Sequence, residues 1–169
     1  EKIELLMKQV GATVDDRPVV QSAIEKAETE GSPATAIEMP DGKIITGKTS
    51  SLLGAASAML LNALKYLAGI DDGVNLISPT IIEPMQKLKT EIMGNHNPRL
   101  HTDEVLIALS MSATTSDVAK KAIAELKNLA GSEAHSTVIL SQIDADIFRK
   151  LGINLTCEPQ YKRKKLYHK

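Results

Sequence analysis

Between Gly42 and Gly47 stand Lys43, Ile44, Ile45 and Thr46, and this short run constrains the fold more than any other stretch of the chain. From Gly42 the residues read G-x-x-x-x-G-K-T, the spacing of a phosphate-binding P-loop. Such a loop works because small, permissive residues let successive backbone N–H groups converge on phosphate oxygens. Here Ile44, Ile45 and Thr46 are β-branched, stiff at χ1 and inclined to an extended strand. Pro40-Asp41-Gly42 ahead of them is turn chemistry. The run therefore predicts a β-hairpin at 34–49, with "ATAIEMP" and "KIITGKT" as its arms, and excludes a P-loop fold. One part of the pattern keeps a functional reading. Gly47 to Ser50 lie where a strand passes toward a helix N-terminus, so Lys48 is a candidate contact for a small anionic ligand. The plainer reading has Ser50 cap that helix and Lys48 solvated.

Periodicity places the remaining elements. Ile3, Leu6, Met7 and Val10 recur at helical spacing, and a second helix runs from a cap at Asp16, through Pro18, to Gly31, with Val20, Ala23, Ile24 and Ala27 on one face. Residues 50–67 are apolar nearly all round, which predicts a buried helix, and "GAASA" within it lets another backbone approach closely. "VNLI" at 74–77 reads as a short buried strand, followed by a helix at 80–93 and a loop at "GNHNPRL". Thr102 is placed to cap a helix with Asp103 and Glu104 in its first turn. A further helix follows at 116–129, then "AHSTVILS" as a strand, "DADIFRKLG" as a helix and "INLTCEP" as a strand.

Helices between buried strands predict a three-layer α/β/α domain around a mixed sheet of about five strands that includes the hairpin. The 169 residues read as one domain: a helical lead-in at 1–31, the hairpin, an α/β remainder at 50–158 and a basic tail at 159–169. The chain opens mid-helix without an initiator Met, so the expectation is a fragment of something longer. Aromatic residues are 2% of the chain and tryptophan is absent, so the core must be aliphatic. A formal charge of −1 argues against a dedicated nucleic-acid or membrane-surface binder, and "KRKK" in the tail reads as a solvated terminus or a contact to a partner chain. Cys157 is the single cysteine, which rules out an internal disulfide and fits a reducing, cytoplasmic setting.

Two polar segments adjoin buried elements and supply the candidate site residues. In "NHNPRLHTDE" these are Asn97, Arg99, His101 and Glu104; in "GSEAHST" they are Glu133 and His135. Strand alternation puts Glu133 and His135 on one face and Ser136 on the other, so His135 is poorly placed to activate Ser136. His101, Glu104, Glu133 and His135 could bind a divalent metal or act as general acids and bases if the segments meet. Arg99 with the histidines could clamp a carboxylate or phosphate. The competing reading is structural: Asn97, Thr102 and Glu133 satisfy backbone ends, Arg99 pairs with a carboxylate, and the histidines are packed. Nothing in the spacing calls for a cofactor or a resident metal.

The order hairpin, helix, strand, helix resembles the cytidine-deaminase-like arrangement. Those enzymes hold zinc with His or Cys at the starts of two helices, where this chain reads "SSLLGAAS" and "SPTIIEP". The resemblance thus implies an architecture without deaminase chemistry. More specifically, "DGKIITGKTSSLLGAASAMLLNALK", "GNHNPRLHTDEVLIALSMSAT", "LAGSEAHSTVILS" and "RKLGINLTCEPQY" resemble the C-terminal domain of a bacterial family catalogued only as a domain of unknown function, number eighteen forty-six. Longer members of that family carry an N-terminal half with a Gly-rich, P-loop-like segment, whose chemistry does not transfer to these residues. The resemblance implies a bacterial, cytoplasmic domain of a larger protein, with any site completed by chain outside it. The expectation is a packing, self-association or ligand-binding domain without a complete catalytic site, partnered by the rest of its own chain and by further copies of itself. The alternative is an enzyme using His101, Glu104, Glu133 and His135.

Overall fold

Arg17 has extended backbone, and Pro18 directly after it occupies the first helical position, where a missing N–H is no loss. Helix α1 (Pro18–Glu30) therefore starts here and ends at Gly31, whose φ of 68° closes the last turn through its N–H on the Ala27 carbonyl. The computed structural model describes residues 17–158, so the first expected helix, Asp16 and the basic tail lie outside the described residues.

The hairpin forms as expected. Strands β1 (Ala34–Glu38) and β2 (Ile44–Lys48) pair antiparallel with Ile37 opposite Ile45. Gly42 turns the chain at φ 88°, and the Met39 N–H donates to the Lys43 carbonyl. Ile44, Ile45 and Thr46 are strand residues, so the segment presents no ring of converging amides. Gly47 has a different cause from phosphate binding: a Cβ there would lie 2.2 Å from the Met59 backbone nitrogen. That nitrogen belongs to α2 (Ala55–Ala68), whose small residues let its backbone cross β2 at this point.

Helix α2 starts five residues later than 50–67 implied. Ser50 does not cap it; the Ser50 hydroxyl accepts from the Leu52 and Leu53 N–H groups and closes a turn. Gly54 is the N-cap. The stretch 74–77 is irregular and not a strand, and the sheet accordingly has four strands, in the order β2-β1-β3-β4. The first strand after the hairpin is β3, so the deaminase-like outline is not met at the residues that suggested it. Helix α3 (Pro79–Lys87) carries Pro84 and passes into a π-helical turn at Leu88–Ile92. After α4 (Thr102–Ser112), the helix expected at 116–129 divides into α5 (Asp117–Ile123), capped by Ser116, and a 3-10 turn at Leu126–Leu129. Then β3 (Glu133–Ser136), α6 (Gln142–Lys150) and β4 (Asn154–Cys157) form a strand–helix–strand unit with its strands parallel, while β3 pairs antiparallel with β1.

The sheet is covered on both faces. On one, α1 sets Val19, Val20 and Ala23 against Ala36. On the other, Ile37 and Ala134 join a larger cluster with Met59, Leu60, Leu109 and Phe148 from α2, α4 and α6. This is the three-layer α/β/α arrangement, and its core is aliphatic apart from Phe148.

Candidate functional site

Like any helix, α4 begins with backbone N–H groups that lack intrahelical partners. His101 is the N-cap, one residue ahead of the expected Thr102. The Glu104 carboxylate reaches back to the His101 N–H at 2.8 Å, half of a capping box. The same oxygen, Oε1, accepts from Lys89 Nζ at 2.8 Å, and Lys89 also donates to the Arg99 carbonyl at 2.6 Å. Lys89 comes from the π-helical turn and is only 5% exposed, so its ammonium depends on these partners. The Thr102 N–H and hydroxyl donate to Asp144 Oδ1 at 3.0 and 2.6 Å. Asp144, a buried residue of α6, thus caps a helix other than its own.

The second oxygen of Asp144 lies 3.6 Å from His101 Nδ1, an ion-pair separation long for a hydrogen bond. The Asp144 carboxylate beside it holds the His101 imidazolium above its ordinary pKa, against the opposing effect of burial. For Asp144, burial works to raise the pKa, but the His101 contact and the two Thr102 hydrogen bonds outweigh it, and the group ends below the usual carboxylate value. Beside these residues opens a cleft of about 450 Å³, lined by Lys89, Asn97, His101, Asp103, Glu104 and Ile143 among others. Among the described residues Arg99 pairs with no carboxylate: its Nε donates to the Ser50 carbonyl, and its N–H to Asn97 Oδ1 at 3.0 Å. Asn97 therefore satisfies a backbone end, as the structural reading expected.

Glu133 and His135 occupy the other face of the sheet. His135 lies opposite Ala36, which packs under α1, whereas α4 belongs to the large cluster on the far side. His135 is fully buried. Its Nδ1 meets Thr156 Oγ1 at 2.7 Å and its Nε2 meets Glu158 Oε2 at 3.0 Å. Arg17 Nη1 donates to the same Thr156 oxygen at 2.7 Å, and its Nη2 donates to Glu133 Oε1 at 2.9 Å. Asn154 Nδ2 donates to Glu133 Oε2 at 2.8 Å. The two segments that each carry a His and a Glu do not meet, so His101, Glu104, Glu133 and His135 form no single centre. Among the described residues no group of three or more His, Cys, Asp or Glu side chains is placed to hold a metal ion. Lys48 is separate again, paired with Glu30 at the end of α1 at 2.9 Å.

Lys89, Asp144, Arg17, Thr156 and Glu158 escaped the sequence reading. Asp144 carried one signal, an acid in the first turn of an amphipathic helix; the others carried none, because their partners are remote in sequence. The elements that carry the α4 cleft also expose an apolar rim, of which Ile143 lines the cleft itself. Ile107 and Met111 follow Asp103 along α4 at helical spacing, and Ile143 faces Asp103 from α6. Ile92 and Met93 end the π-helical turn that carries Lys89, and among these five side chains exposure runs from 53% at Ile143 to 78% at Ile92.

Comparison with known proteins places this geometry in a family. Residues 15–167 match the family described as "Domain of unknown function DUF1846, C-terminal". The UPF0371 protein of Corynebacterium glutamicum (strain R) is 56% identical over 168 residues, which cover 99% of this chain and 34% of that protein. The UPF0371 protein of Streptococcus pyogenes serotype M5 (strain Manfredo) is 53% identical over 169 residues, again 34% of its length. The chain thus spans about a third of the length of the relatives it matches.

Proposed function

We propose that this chain, which belongs to the DUF1846 family as a C-terminal domain, serves a protein about three times its length as a docking and packing domain rather than as a self-contained enzyme. One observation carries the reading: the charged groups beside the α4 cleft satisfy one another, while the elements that carry them expose large apolar side chains. Lys89, Glu104, Thr102 and Asp144 are committed to mutual hydrogen bonds, leaving little charge to seize a ligand. Ile92, Met93, Ile107, Met111 and Ile143 expose large apolar side chains on the elements that carry those groups, the end of the π-helical turn, α4 and α6. Such a patch marks a surface that another part of a protein covers. The occupant is the remainder of the longer chain. A small anion suits the cleft poorly, because Asp103 and Glu104 stand beside His101 and Lys89.

Hydroxyl-radical footprinting of the full-length protein tests this. Met93 and Met111 are exposed sulfur probes, and the buried Met39 and Met59 are internal references. Docking predicts that Met93 and Met111 oxidise nearly as slowly as Met59, at any protein concentration. Oxidation at the rate of a free methionine removes the proposal. Protection that fades on dilution would assign the surface to a second copy instead.

A further inference from the structure

Docking through the rim leaves a second surface unexplained, the outer edge of β4. We infer that β4 is a docking strand, along which the preceding part of the longer chain lays one more strand of the sheet; this rests on the docking reading above. β4 is the last strand in the order. Its Asn154 and Glu158 N–H groups donate to the Ser132 and Ser136 carbonyls, toward β3. Backbone alternation therefore turns the N–H and C=O groups of Leu155 and Cys157 outward. Among the described residues no backbone or side-chain group pairs with them.

Edges left open this way are usually guarded by charge, proline or a bulge. The opposite edge of this sheet is guarded: Asn62 Nδ2 donates to the outward Thr46 carbonyl at 3.0 Å, and β2 ends in Lys48. β4 reads Asn-Leu-Thr-Cys and runs in unbroken register with β3, so it has none of these devices. A cleft of about 380 Å³ opens on this edge, with Ala145, Arg149, Ile153 and Leu155 on the α6 side and Glu133, Asn154 and Thr156 on the other. An added strand would pair its backbone with Leu155 and Cys157 and alternate apolar side chains toward α6 with polar ones toward Glu133. The matched family domain is a C-terminal one and the chain covers 34% of its relatives, so ample chain precedes the domain in such proteins to supply the strand.

Amide hydrogen exchange of the full-length protein, read at single residues, tests the inference. The Thr156 N–H points toward β3 and should be protected in every case, as an internal control. The expected result is that the Leu155 and Cys157 amides exchange at least about 100-fold slower than in an unstructured peptide, independent of protein concentration. If both exchange at the unstructured rate while Met93 and Met111 stay protected, the edge inference is wrong and the rim reading stands. If the methionines are exposed as well, both fail. Protection of Leu155 and Cys157 that falls on dilution would mean edge-to-edge pairing of two copies and would overturn the assigned occupant.

Discussion

The Arg17 guanidinium and the His135 imidazole converge on one oxygen, Thr156 Oγ1, each at 2.7 Å. Through that hydroxyl the residue preceding α1 is tied to a buried side chain of β3, and His135 Nε2 extends the chain of contacts to Glu158 beyond β4. A carboxylate only accepts, so the proton between His135 and Glu158 belongs to Nε2. The network bolts both limits of the described fold to the sheet, which is a structural role for a histidine that the sequence offers as a catalytic candidate.

His135→Ala should therefore cost stability. It removes both hydrogen bonds of a fully buried imidazole, to Thr156 and to Glu158, and leaves a cavity in their place, a loss of about 2–4 kcal/mol. Urea denaturation of the variant measures it. A change below about 0.5 kcal/mol would show that the network is not a bolt.

The two glycines of the P-loop-like pattern should behave differently. At Gly47 a methyl group meets the α2 backbone, so Gly47→Ala should destabilise by about 3 kcal/mol, the upper range of overpacking. Gly42→Ala has open space around it and pays only for its positive φ, about 1–2 kcal/mol. Thermal melts of the pair give the comparison, and equal losses would contradict the close crossing of β2 and α2.

Glu104→Gln keeps a cap on the His101 N–H but removes the counter-charge of buried Lys89. The expected loss is about 2 kcal/mol, reduced from a fully buried pair because Glu104 is partly exposed. Adding Lys89→Met should recover much of it. A double-mutant cycle with no coupling would mean that the two charges do not sense each other.

The His101–Asp144 pair sets a pH window. The raised pKa of His101 means that its contribution is complete below its unfolded value of about 6.5 and disappears as pH rises through the folded value. The lowered pKa of Asp144 means the reverse at the acid side: its contribution is present above about pH 4 and disappears as pH falls through the folded value. His101→Gln should thus cost more at pH 5 than at pH 8.5, by about 0.5 kcal/mol, a figure reduced because the His101 side chain is partly exposed. Denaturant midpoints at the two pH values check it; equal costs would show that the pair carries no net charge attraction.

How much was legible follows from the range of the forces involved. The hairpin at 34–49 was readable because β-branched stiffness and Asp-Gly turn chemistry act over a few residues. The α6–β4 unit was readable for similar reasons. The stretch 74–77 misled because a short apolar run has no period to distinguish a strand from an irregular buried segment; Leu76 and Ile77 are buried without any strand partner. Helix starts shifted by one residue at His101 and five at Ala55, because tertiary partners such as Asp144 and the Ser50 turn compete with local capping. Asn97 was read correctly as a backbone partner, since its bond to the Arg99 N–H spans only two residues.

Amino-acid order alone determined the α/β class, the aliphatic core, the absence of a phosphate-cradling loop and the family, since these rest on periodicity, composition and extended runs of identity. Which polar groups meet was decided only by the tertiary structure. Asp144 reaches Thr102 across 42 positions and Arg17 reaches Thr156 across 139, separations at which no local propensity acts. The sheet itself divides the candidate residues, holding His101 and Glu104 on one face and Glu133 and His135 on the other, because β3 shows alternate side chains to opposite helical layers.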